Sequence, residues 1–289
     1  MTTTERRLRL MHRARAQEIE IAFAHTPAQA FARGLELGAG DCYQSRHLKR
    51  YVADLICTDF DESLLNRNNT AITYGQCDAE EVDKVFSTHR FDLVFTSNML
   101  SHTPNPRQVL RGIQSVTDDD AVLVFVVPNP LWKLTKLFLF YPLLLTRVPL
   151  LAWRYVHSRI VRQASVRVHE ARQVKLTNNP KAFRRVSRWR ERLLPMPVGA
   201  YPGNVAEVLG SRRTRWISEL RCAGWQVVRV FKGPFIVGDM NEWWNNVCGR
   251  VGFSTENIYV ACKDGRRSRY EAYFEPPGSR SPVDEPTRD

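Results

Sequence analysis

The sequence has no cysteine or histidine pattern of the kind that holds a metal ion. Its six cysteines are scattered, with no Cys-x-x-Cys pair and no cluster of histidine with cysteine. Cys57, Cys77 and Cys262 lie on or beside strand-like apolar runs. This usage is typical of reduced cysteines inside a cytoplasmic enzyme, so we expect no metal site.

Long uninterrupted apolar runs are also missing. Residues 1–33 are rich in arginine and lack the apolar core of a signal peptide, so they predict a helical segment ahead of the main domain. The most apolar run, residues 137–153, contains Pro142, Arg147 and Pro149. A membrane span takes about 20 apolar residues, and a central arginine costs roughly 2.5–3.5 kcal/mol or more. We therefore do not expect this run to cross a membrane.

Acidic residues are nearly absent from residues 131–200. Fifteen lysines and arginines stand there against two acids, Glu170 and Glu191, which gives this segment a net charge of +13. The rest of the chain sums to −1, so the overall charge of +12 comes entirely from this segment. A basic segment beside a nearly neutral remainder indicates an anionic partner for that segment alone.

Short apolar runs of strand length alternate with helix-compatible segments. Because the runs are apolar on both faces, they predict a mostly parallel sheet that helices cover on both sides, with ligand groups at the carboxyl ends of the strands. The runs cover residues 34–37, 55–59, 71–76, 91–98 and 121–128, and the helix-compatible segments cover residues 44–51, 62–68, 80–87 and 104–116.

A glycine-rich turn follows the first of these runs. It reads Gly38-Ala39-Gly40, and an acidic residue, Asp59, ends the second run nineteen residues after Gly40. A bend without side chains lets a ligand approach the backbone closely, and a carboxylate can accept two hydrogen bonds from a sugar diol. The residues that fall at the carboxyl ends of the predicted strands are Gly38, Gly40, Asp59, Asp78 and Asn98.

This order of blocks resembles the class I S-adenosylmethionine-dependent methyltransferases, and more narrowly the type 11 methyltransferase domains. The resemblance implies an α/β fold with a doubly wound, mostly parallel seven-stranded sheet and a largely helical insertion after the fifth strand. It extends over residues 30–130 and resumes weakly near the end of the chain. The matching blocks are residues 36–41, 58–61, 78–80, 91–102 and 128–130, followed by 216–230 and 256–263.

By the same resemblance, the cofactor is S-adenosyl-L-methionine. Gly38 and Gly40 would lie against its methionine portion, and Asp59 would hold the ribose hydroxyls. Asp78 and Ala79 would flank the adenine ring. The full set implied for the cofactor is Glu36, Gly38, Ala39, Gly40, Asp59, Phe60, Asp78, Ala79 and Asn98.

Three positions around this turn have alternative interpretations. Glu36 contacts the cofactor or only orients the loop backbone. Phe60 covers one face of the adenine ring or is a core side chain. Cys42 stands where the family has its third glycine. Because cysteine is small, we expect the close approach of the methionine portion to be retained, and the alternative is weaker binding.

Methyl transfer needs little covalent help, because the sulfonium already activates the methyl group and positioning lowers the barrier. A hydroxyl acceptor would gain from a base, and His102, just beyond the fourth run, is the candidate. The alternative is a structural histidine that hydrogen-bonds its own loop. Tyr201 and Glu207 are candidates for contact with the acceptor, because relatives often complete the acceptor pocket in this region.

Residues 131–200 form an insertion longer than the resembled family needs. Trp132, Tyr141 and Trp153 suit the headgroup boundary, so the apolar run fits a shallow helical hairpin in a membrane interface. The alternatives are a lid over the acceptor pocket and a nucleic-acid platform, which the basic and aromatic run 181–190 would suit. Binding to a nucleic acid does not explain the neighbouring leucines, so we favour a lipid surface as the partner of this segment.

Five segments follow from these patterns. Residues 1–33 form the helical N-terminal segment, and residues 34–130 the cofactor-binding core. Residues 131–200 are the insertion, 201–265 complete the core, and 266–289 are predicted to be a flexible tail, because proline and glycine are frequent towards its end.

We expect a cytoplasmic S-adenosylmethionine-dependent methyltransferase that is held peripherally at the inner face of an anionic membrane. Its acceptor would be an oxygen of a lipid, a lipid-linked saccharide or an amphiphilic metabolite. One alternative is an RNA methyltransferase that uses the basic insertion. Another is a cofactor-binding adaptor without activity, against which the intact cofactor blocks argue.

Overall fold

The computed structural model describes residues 3–139, 197, 199–237, 240 and 242–275. Within this part of the chain, strands and helices alternate along the sequence. The strands are β1 (Phe31–Leu37), β2 (Val52–Asp59), β3 (Ile72–Gln76), β4 (Phe91–Ser97), β5 (Thr117–Pro128), β6 (Trp225–Lys232) and β7 (Glu256–Lys263). The helices are α1 (Thr3–Ala22), α2 (Tyr43–Leu48), α3 (Val82–Val85), α4 (Pro106–Ser115), α5 (130–139), α6 (Asn204–Gly210), α7 (Arg213–Cys222) and α8 (Glu242–Arg250).

The strands form one seven-stranded sheet in the order β3-β2-β1-β4-β5-β7-β6. Strands β1 to β5 pair in parallel, whereas β7 runs antiparallel to both β5 and β6. The strand order reverses between β1 and β4, which is where ligands bind in open sheets of this kind. The prediction of a doubly wound, mostly parallel seven-stranded sheet is confirmed.

Both faces of the central strands are buried, which explains their continuously apolar sequences. Along β4, Phe95 packs into one hydrophobic cluster and Val94 into the other. Along β5, Val124 packs into the same cluster as Phe95, and Phe125 packs into the same cluster as Val94. Because side chains alternate between the faces of a strand, a sheet covered on both sides needs apolar residues at every position.

The helix-compatible segment 62–68 forms only a single 3₁₀ turn, Glu62–Leu64. Asp61 caps this turn by accepting a hydrogen bond from a backbone N–H. Further on, the side chains of Asn66 and Asn69 each accept from the backbone N–H two residues later, at 3.3 and 3.0 Å. Such local bonds compete with helical ones, so the prediction of a helix here is wrong.

The prediction of a flexible tail from residue 266 is wrong for residues 266–275. Tyr270 and Phe274 are 4% and 1% exposed, and they pack against Phe31 of β1 and Phe23, which follows α1, respectively. The Tyr270 hydroxyl donates to Asp92, whose carboxylate also accepts two backbone N–H groups of β1. These aromatic side chains anchor the segment to the core. Residues 276–289 lie outside the described residues.

The two described ends of the insertion meet against the loop that follows β4. Lys133 on α5 and Glu207 on α6 are buried and form an ion pair with a distance of 2.6 Å between Nζ and Oε2. The backbone N–H of Ala200 donates to the carbonyl oxygen of Ser101 at 3.4 Å. A Cβ atom on Gly199 would lie 2.2 Å from the same oxygen, so glycine permits this approach.

Residues 140–196 and 198 lie outside the described residues, and with them most of the predicted insertion, including Tyr141, Trp153 and the run 181–190. Among the helices of the described residues, none combines the length and the apolar character that are needed to cross a membrane.

We expect Lys133→Met to destabilise the protein by about 3–5 kcal/mol, because it leaves the Glu207 carboxylate buried without its ion-pair partner. Urea unfolding followed by circular dichroism measures this change. The matched control is Lys84→Met, which removes an exposed ion pair with Glu81 and should leave the unfolding midpoint nearly unchanged. Equal, small effects of the two substitutions would show that the Lys133 pair does not hold the base of the insertion.

Candidate cofactor and acceptor site

A cavity of about 680 Å³ opens at the carboxyl ends of β1, β2 and β4. It lies at the reversal of strand order, as the fold predicts. The cavity brings together most of the residues predicted for the cofactor and also His102. The predicted residues that line it are Gly38, Asp59, Phe60, Asp78, Ala79, Asn98 and His102.

The glycine turn is held to the end of β2 by its own backbone. The N–H groups of Gly38 and Ala39 both donate to the carbonyl oxygen of Thr58, each at 2.9 Å. Gly38 has a φ of 75°, and a Cβ atom there would lie 2.8 Å from Cβ of Met99. Glycine is therefore required at position 38 by both backbone conformation and space.

Asp59 shapes this turn as well as facing the cavity. One carboxylate oxygen accepts the N–H of Gly40 at 2.8 Å, and the other accepts the N–H of Asp61 at 3.1 Å. A carboxylate has about four lone-pair sites, so it can still accept the two hydroxyls of a ribose. This geometry is compatible with the predicted contact between Asp59 and the ribose, and Asp59 also stabilises the turn.

The opposite end of the cavity suits a flat ring. Asp78 accepts the N–H of Glu80 at 3.0 Å and so begins the 3₁₀ turn Ala79–Glu81. Phe60 is 69% exposed, so the interpretation of Phe60 as a core side chain is wrong. An exposed aromatic ring beside Asp78 and Ala79 is free to cover an adenine.

Three residues in or beside the turn support it from the protein side and do not line the cavity. Glu36 is buried, and this burial raises the pKa of its carboxyl to about 7. Its Oε2 accepts a hydrogen bond from the Cys57 thiol at 3.3 Å, which favours the interpretation that Glu36 orients the loop. Ala39 and Cys42 are buried. Cys42 has a φ of 57°, a conformation that glycine adopts more readily, so replacing the third glycine strains the backbone locally.

His102 lies at the exposed rim of the cavity. Partial burial has the largest effect and lowers the pKa of its imidazole. The Glu207 carboxylate acts in the opposite direction and raises this pKa, whereas the positive charge of Arg15 lowers it. Its backbone N–H donates to the carbonyl oxygen of Met99 at 2.8 Å. Within the described residues its ring nitrogens make no hydrogen bond, so its side chain is available to an acceptor.

The structure does not bring Tyr201 and Glu207 into this cavity. They line a separate small space with Lys133 and Ser101. The Tyr201 hydroxyl accepts a hydrogen bond from Arg215 at 2.8 Å, and Glu207 pairs with Lys133. Both side chains are already engaged, and their contact with an acceptor stays a prediction.

No pattern in the sequence predicted the buried polar network at the inner wall of the cavity. Arg15 lines the cavity and donates to Glu18, which is 0% exposed. Asn98 donates from its amide nitrogen to Glu256 at 3.1 Å. Burial and the neighbouring Glu18 carboxylate raise the pKa of Glu256 to about 8. Only the arginine-rich composition of α1 could have indicated Arg15, and no local pattern marks Glu256.

Comparison with known proteins agrees with this geometry. Residues 35–125, less than half of the chain, match a family model described as a methyltransferase domain of type 11. A chain from the complex between the Haloferax volcanii Trm112 methyltransferase activator and a methyltransferase aligns with a TM-score of 0.52 at 12% identity. That alignment covers 89% of this chain and 92% of the other. It shows a shared fold.

Two further solved structures are similar. An S-adenosylmethionine-dependent methyltransferase from Mesorhizobium loti aligns with a TM-score of 0.46 at 14% identity, over 83% of this chain and 94% of that one. The plantazolicin methyltransferase BamL, solved with a triazolic desmethylPZN analog and SAH, aligns with a TM-score of 0.49 at 10% identity, over 90% of each chain. No curated protein matches the sequence.

Asp59→Ala should lower the affinity for S-adenosylmethionine at least about tenfold. The substitution removes charge-assisted hydrogen bonds to the ribose worth roughly 2–4 kcal/mol and also frees the N–H of Gly40. Isothermal titration calorimetry measures the affinity, with thermal unfolding to verify the fold. The control is Asp61→Ala, which removes an exposed capping carboxylate on the same loop and should leave the affinity unchanged. Unchanged binding by Asp59→Ala would remove Asp59 from the cofactor site.

Proposed function

We propose that the chain is an S-adenosylmethionine-dependent methyltransferase, which the methyltransferase-domain match over residues 35–125 supports, and that it methylates an amphiphilic acceptor at an anionic membrane surface. The acceptor is a lipid, a lipid-linked saccharide or a metabolite with an apolar tail, and its methylated atom is oxygen. The observation that carries this proposal is the composition of residues 131–200, which combine a net charge of +13 with the most apolar run of the chain.

The position of the insertion supports a role in acceptor binding. Its described ends return to the loop after β4, where Ser101 contacts Ala200 and Lys133 pairs with Glu207. His102, the next residue of that loop, lies at the rim of the cofactor cavity. An acceptor held by the insertion would therefore reach the cavity from the rim that carries the candidate base.

Apolar side chains project from α5, the first helix of the insertion, and from α6, the helix that follows the insertion. Leu134 and Phe138 on α5 are 49% and 77% exposed. Val205 and Leu209 on α6 are 74% and 45% exposed. Large apolar side chains exposed on two adjoining helices favour contact with an apolar surface over a purely solvated one.

The energies suffice for peripheral binding. Burying four or five large apolar side chains contributes on the order of 6–12 kcal/mol before the costs of ordering. Each lysine or arginine near an anionic leaflet adds about 1 kcal/mol. Binding to an anionic membrane would use both the apolar side chains and the positive charge of the insertion. A lid over the acceptor pocket would use only the apolar side chains and leave the charge in solvent.

His102 suits the role of base towards a hydroxyl group. Burial keeps its pKa below the ordinary value, so the imidazole is neutral at neutral pH and can accept a proton. It is the histidine on the cavity wall in the described part of the chain. An oxygen acceptor gains from such a base, because its proton must leave as the methyl group is transferred.

An RNA methyltransferase is the second candidate, because residues 181–190 mix basic and aromatic side chains. This alternative accounts for the charge of the insertion and leaves the leucines around position 144 unexplained. The two proposals differ in which side chains carry the binding, and this difference can be tested directly.

The purified protein should co-sediment with anionic liposomes, and replacing Leu143, Leu144 and Leu145 together with serine should abolish this at moderate salt. The apolar contribution is lost, and the remaining charge attraction is screened. The control is Leu64→Ser, which removes an exposed apolar side chain away from the insertion and should leave binding intact. Sedimentation across a salt series measures both contributions.

Two outcomes of these binding experiments would contradict the proposal. Retained binding in the triple serine variant, together with complete loss in salt, would contradict insertion into the membrane. If Arg184, Arg185 and Arg188 instead carry binding to RNA and the leucines do not, the RNA methyltransferase replaces our proposal.

Replacing His102 with alanine should lower turnover about 10²–10⁴-fold while cofactor affinity stays nearly unchanged. In the unsubstituted enzyme, turnover should rise with pH as His102 loses its proton. Because burial lowers its pKa, the midpoint of this rise should lie below about 6.5, the ordinary histidine value. His25→Ala, at an exposed histidine outside the cavity, is the control. Weaker cofactor binding or a lower melting temperature with only modest loss of turnover would assign His102 to bracing its loop.

A further inference from the structure

A second cavity lies on the other side of α1 from the cofactor cavity. It is an open groove of about 580 Å³ between α1, α8 and residues 232–236 at the end of β6. Arg13 and Gln17 line this groove, whereas Arg15 lines the cofactor cavity. Positions two apart on a helix point to nearly opposite sides, and the two cavities share no described residue. A molecule in the groove therefore lies outside the candidate site of methyl transfer.

The two helices that border the groove are held in place. Arg13 on α1 donates to Glu242 on α8 at 3.1 Å. The buried side chain of Asn245 on α8 accepts the N–H of Val237 at 2.9 Å and donates to the carbonyl oxygen of the same residue at 3.2 Å. The groove is thus formed before any ligand binds, as is usual for small-molecule sites.

The groove has an apolar floor and a basic rim. Leu10 and Phe235 line it and are buried. Lys232 and Arg250 also line it, are exposed, and have side chains that form no hydrogen bond or ion pair with another described residue. The lining contains three bases and one acid, Glu20, which gives it a net charge of +2. It can therefore take a ligand that is apolar in one part and anionic in another.

Large apolar side chains are exposed beside the groove. Phe253 lines it and is itself exposed, as is the neighbouring Val251. Trp243 is exposed on α8, one turn before Asn246 and two turns before Arg250, both of which line the groove. Aromatic rings with a polar atom suit the headgroup region of a membrane, where one end is apolar and the other is wet.

The groove adjoins the start of the insertion. The carbonyl oxygen of Ser254, the residue after Phe253, accepts a hydrogen bond from Nδ2 of Asn129 at 2.8 Å. The Oδ1 of Asn129 accepts the N–H of Leu131 at 3.0 Å, at the beginning of α5. One side chain thus joins the Phe253 end of the groove to the first helix of the insertion. A membrane that contacts α5 would lie close to the groove as well.

These features together complement an anionic lipid. The volume of the groove is within the usual range for small-molecule sites, about 300–1,000 Å³. An acyl chain would cover the apolar floor, and a phosphate group would pair with the lysine and the arginine on the rim. Free phosphate would leave the floor uncovered, and an uncharged lipid would leave both cations unpaired.

We propose that the groove between α1 and α8 binds one anionic phospholipid of the membrane, with an acyl chain on Leu10 and Phe235 and the phosphate group at Lys232 and Arg250. This lipid anchors the protein and is not methylated, because it lies outside the cofactor cavity. The proposal rests on the proposed membrane association for the source of the lipid. Its contacts use no residue of the insertion.

The probe is a short-chain lysophosphatidylglycerol, kept below the concentration at which it forms micelles. Calorimetry on the full chain should show saturable binding. Lysophosphatidylcholine with the same chain carries no net charge and should bind about tenfold more weakly. Glycerol phosphate, which lacks the chain, should bind at least about 10²-fold more weakly than the lysophosphatidylglycerol.

Gly249→Leu tests the apolar part of the site by filling the groove. Gly249 lines it, and the nearest neighbour of a Cβ atom there would be Cβ of Phe235 at 3.8 Å, an ordinary contact. Leucine also favours a helix more than glycine does, so the variant should fold, which thermal unfolding verifies. It should weaken both lipids at least about tenfold. Gly249→Ala, the matched control, adds a single methyl group and should change both affinities by less than about twofold.

A double substitution tests the basic part. Lys232→Gln together with Arg250→Gln should lower the affinity for lysophosphatidylglycerol about tenfold, to that of lysophosphatidylcholine. The matched control is Arg212→Gln together with Arg221→Gln. It removes the same charge from exposed positions at α7, which packs on the opposite face of the sheet, and should change the affinity for neither lipid.

The outcomes separate the groove from the insertion. The triple serine variant at residues 143–145 should keep its affinity for lysophosphatidylglycerol. Loss of binding in that variant, unchanged binding by Gly249→Leu, or no saturable binding by the unsubstituted protein would overturn the proposal. Equally tight binding of glycerol phosphate would do the same, because it would make the groove a site for free phosphate. If Gly249→Leu alone abolishes lipid binding and the unsubstituted protein does not sediment with liposomes, the lipid site stands and the proposed membrane association fails.

Discussion

Three backbone N–H groups tie the glycine turn to the end of β2, and the cofactor site depends on these bonds. Two go to the carbonyl oxygen of Thr58, and the third goes from Gly40 to the carboxylate of Asp59. The parallel register places Leu37 opposite Thr58, so the two strands end at the same level. One side chain, Asp59, therefore stabilises the shape of the turn and also lines the cavity, where it is predicted to bind the ribose.

Burial gives the site a uniform electrostatic character. It raises the pKa of Glu36 to about 7 and that of Glu256 to about 8, and it lowers the pKa of His102. All three shifts favour the uncharged form of the side chain. The strongly basic part of the chain is confined to the insertion.

The sequence predicted those parts of the site whose signals are local. The central strands could be read from their continuous apolar runs, and the spacing of Gly40 and Asp59 placed the turn and the carboxylate correctly at neighbouring strand ends. Arg15 and Glu256 could not be found in this way, because they meet their partners Ser97 and Asn98 across 82 and 158 residues. No periodic pattern in a sequence indicates contacts between residues so far apart along the chain. The error at residues 62–68 has a different cause, since asparagine side chains there bond the backbone and displace a helix.

The buried ion pair between Lys133 and Glu207 has a consequence for how the enzyme can evolve. It closes the stretch of chain between its two partners at the base, beside the loop after β4. Once a loop is closed, each doubling of its length adds only about 0.6 kcal/mol of entropic cost. Residues between the two partners can be lengthened, shortened or exchanged with little effect on the cofactor site. Under the proposed role of this segment in acceptor binding, a lineage that retains the pair can acquire a new acceptor by replacing one contiguous segment of its gene.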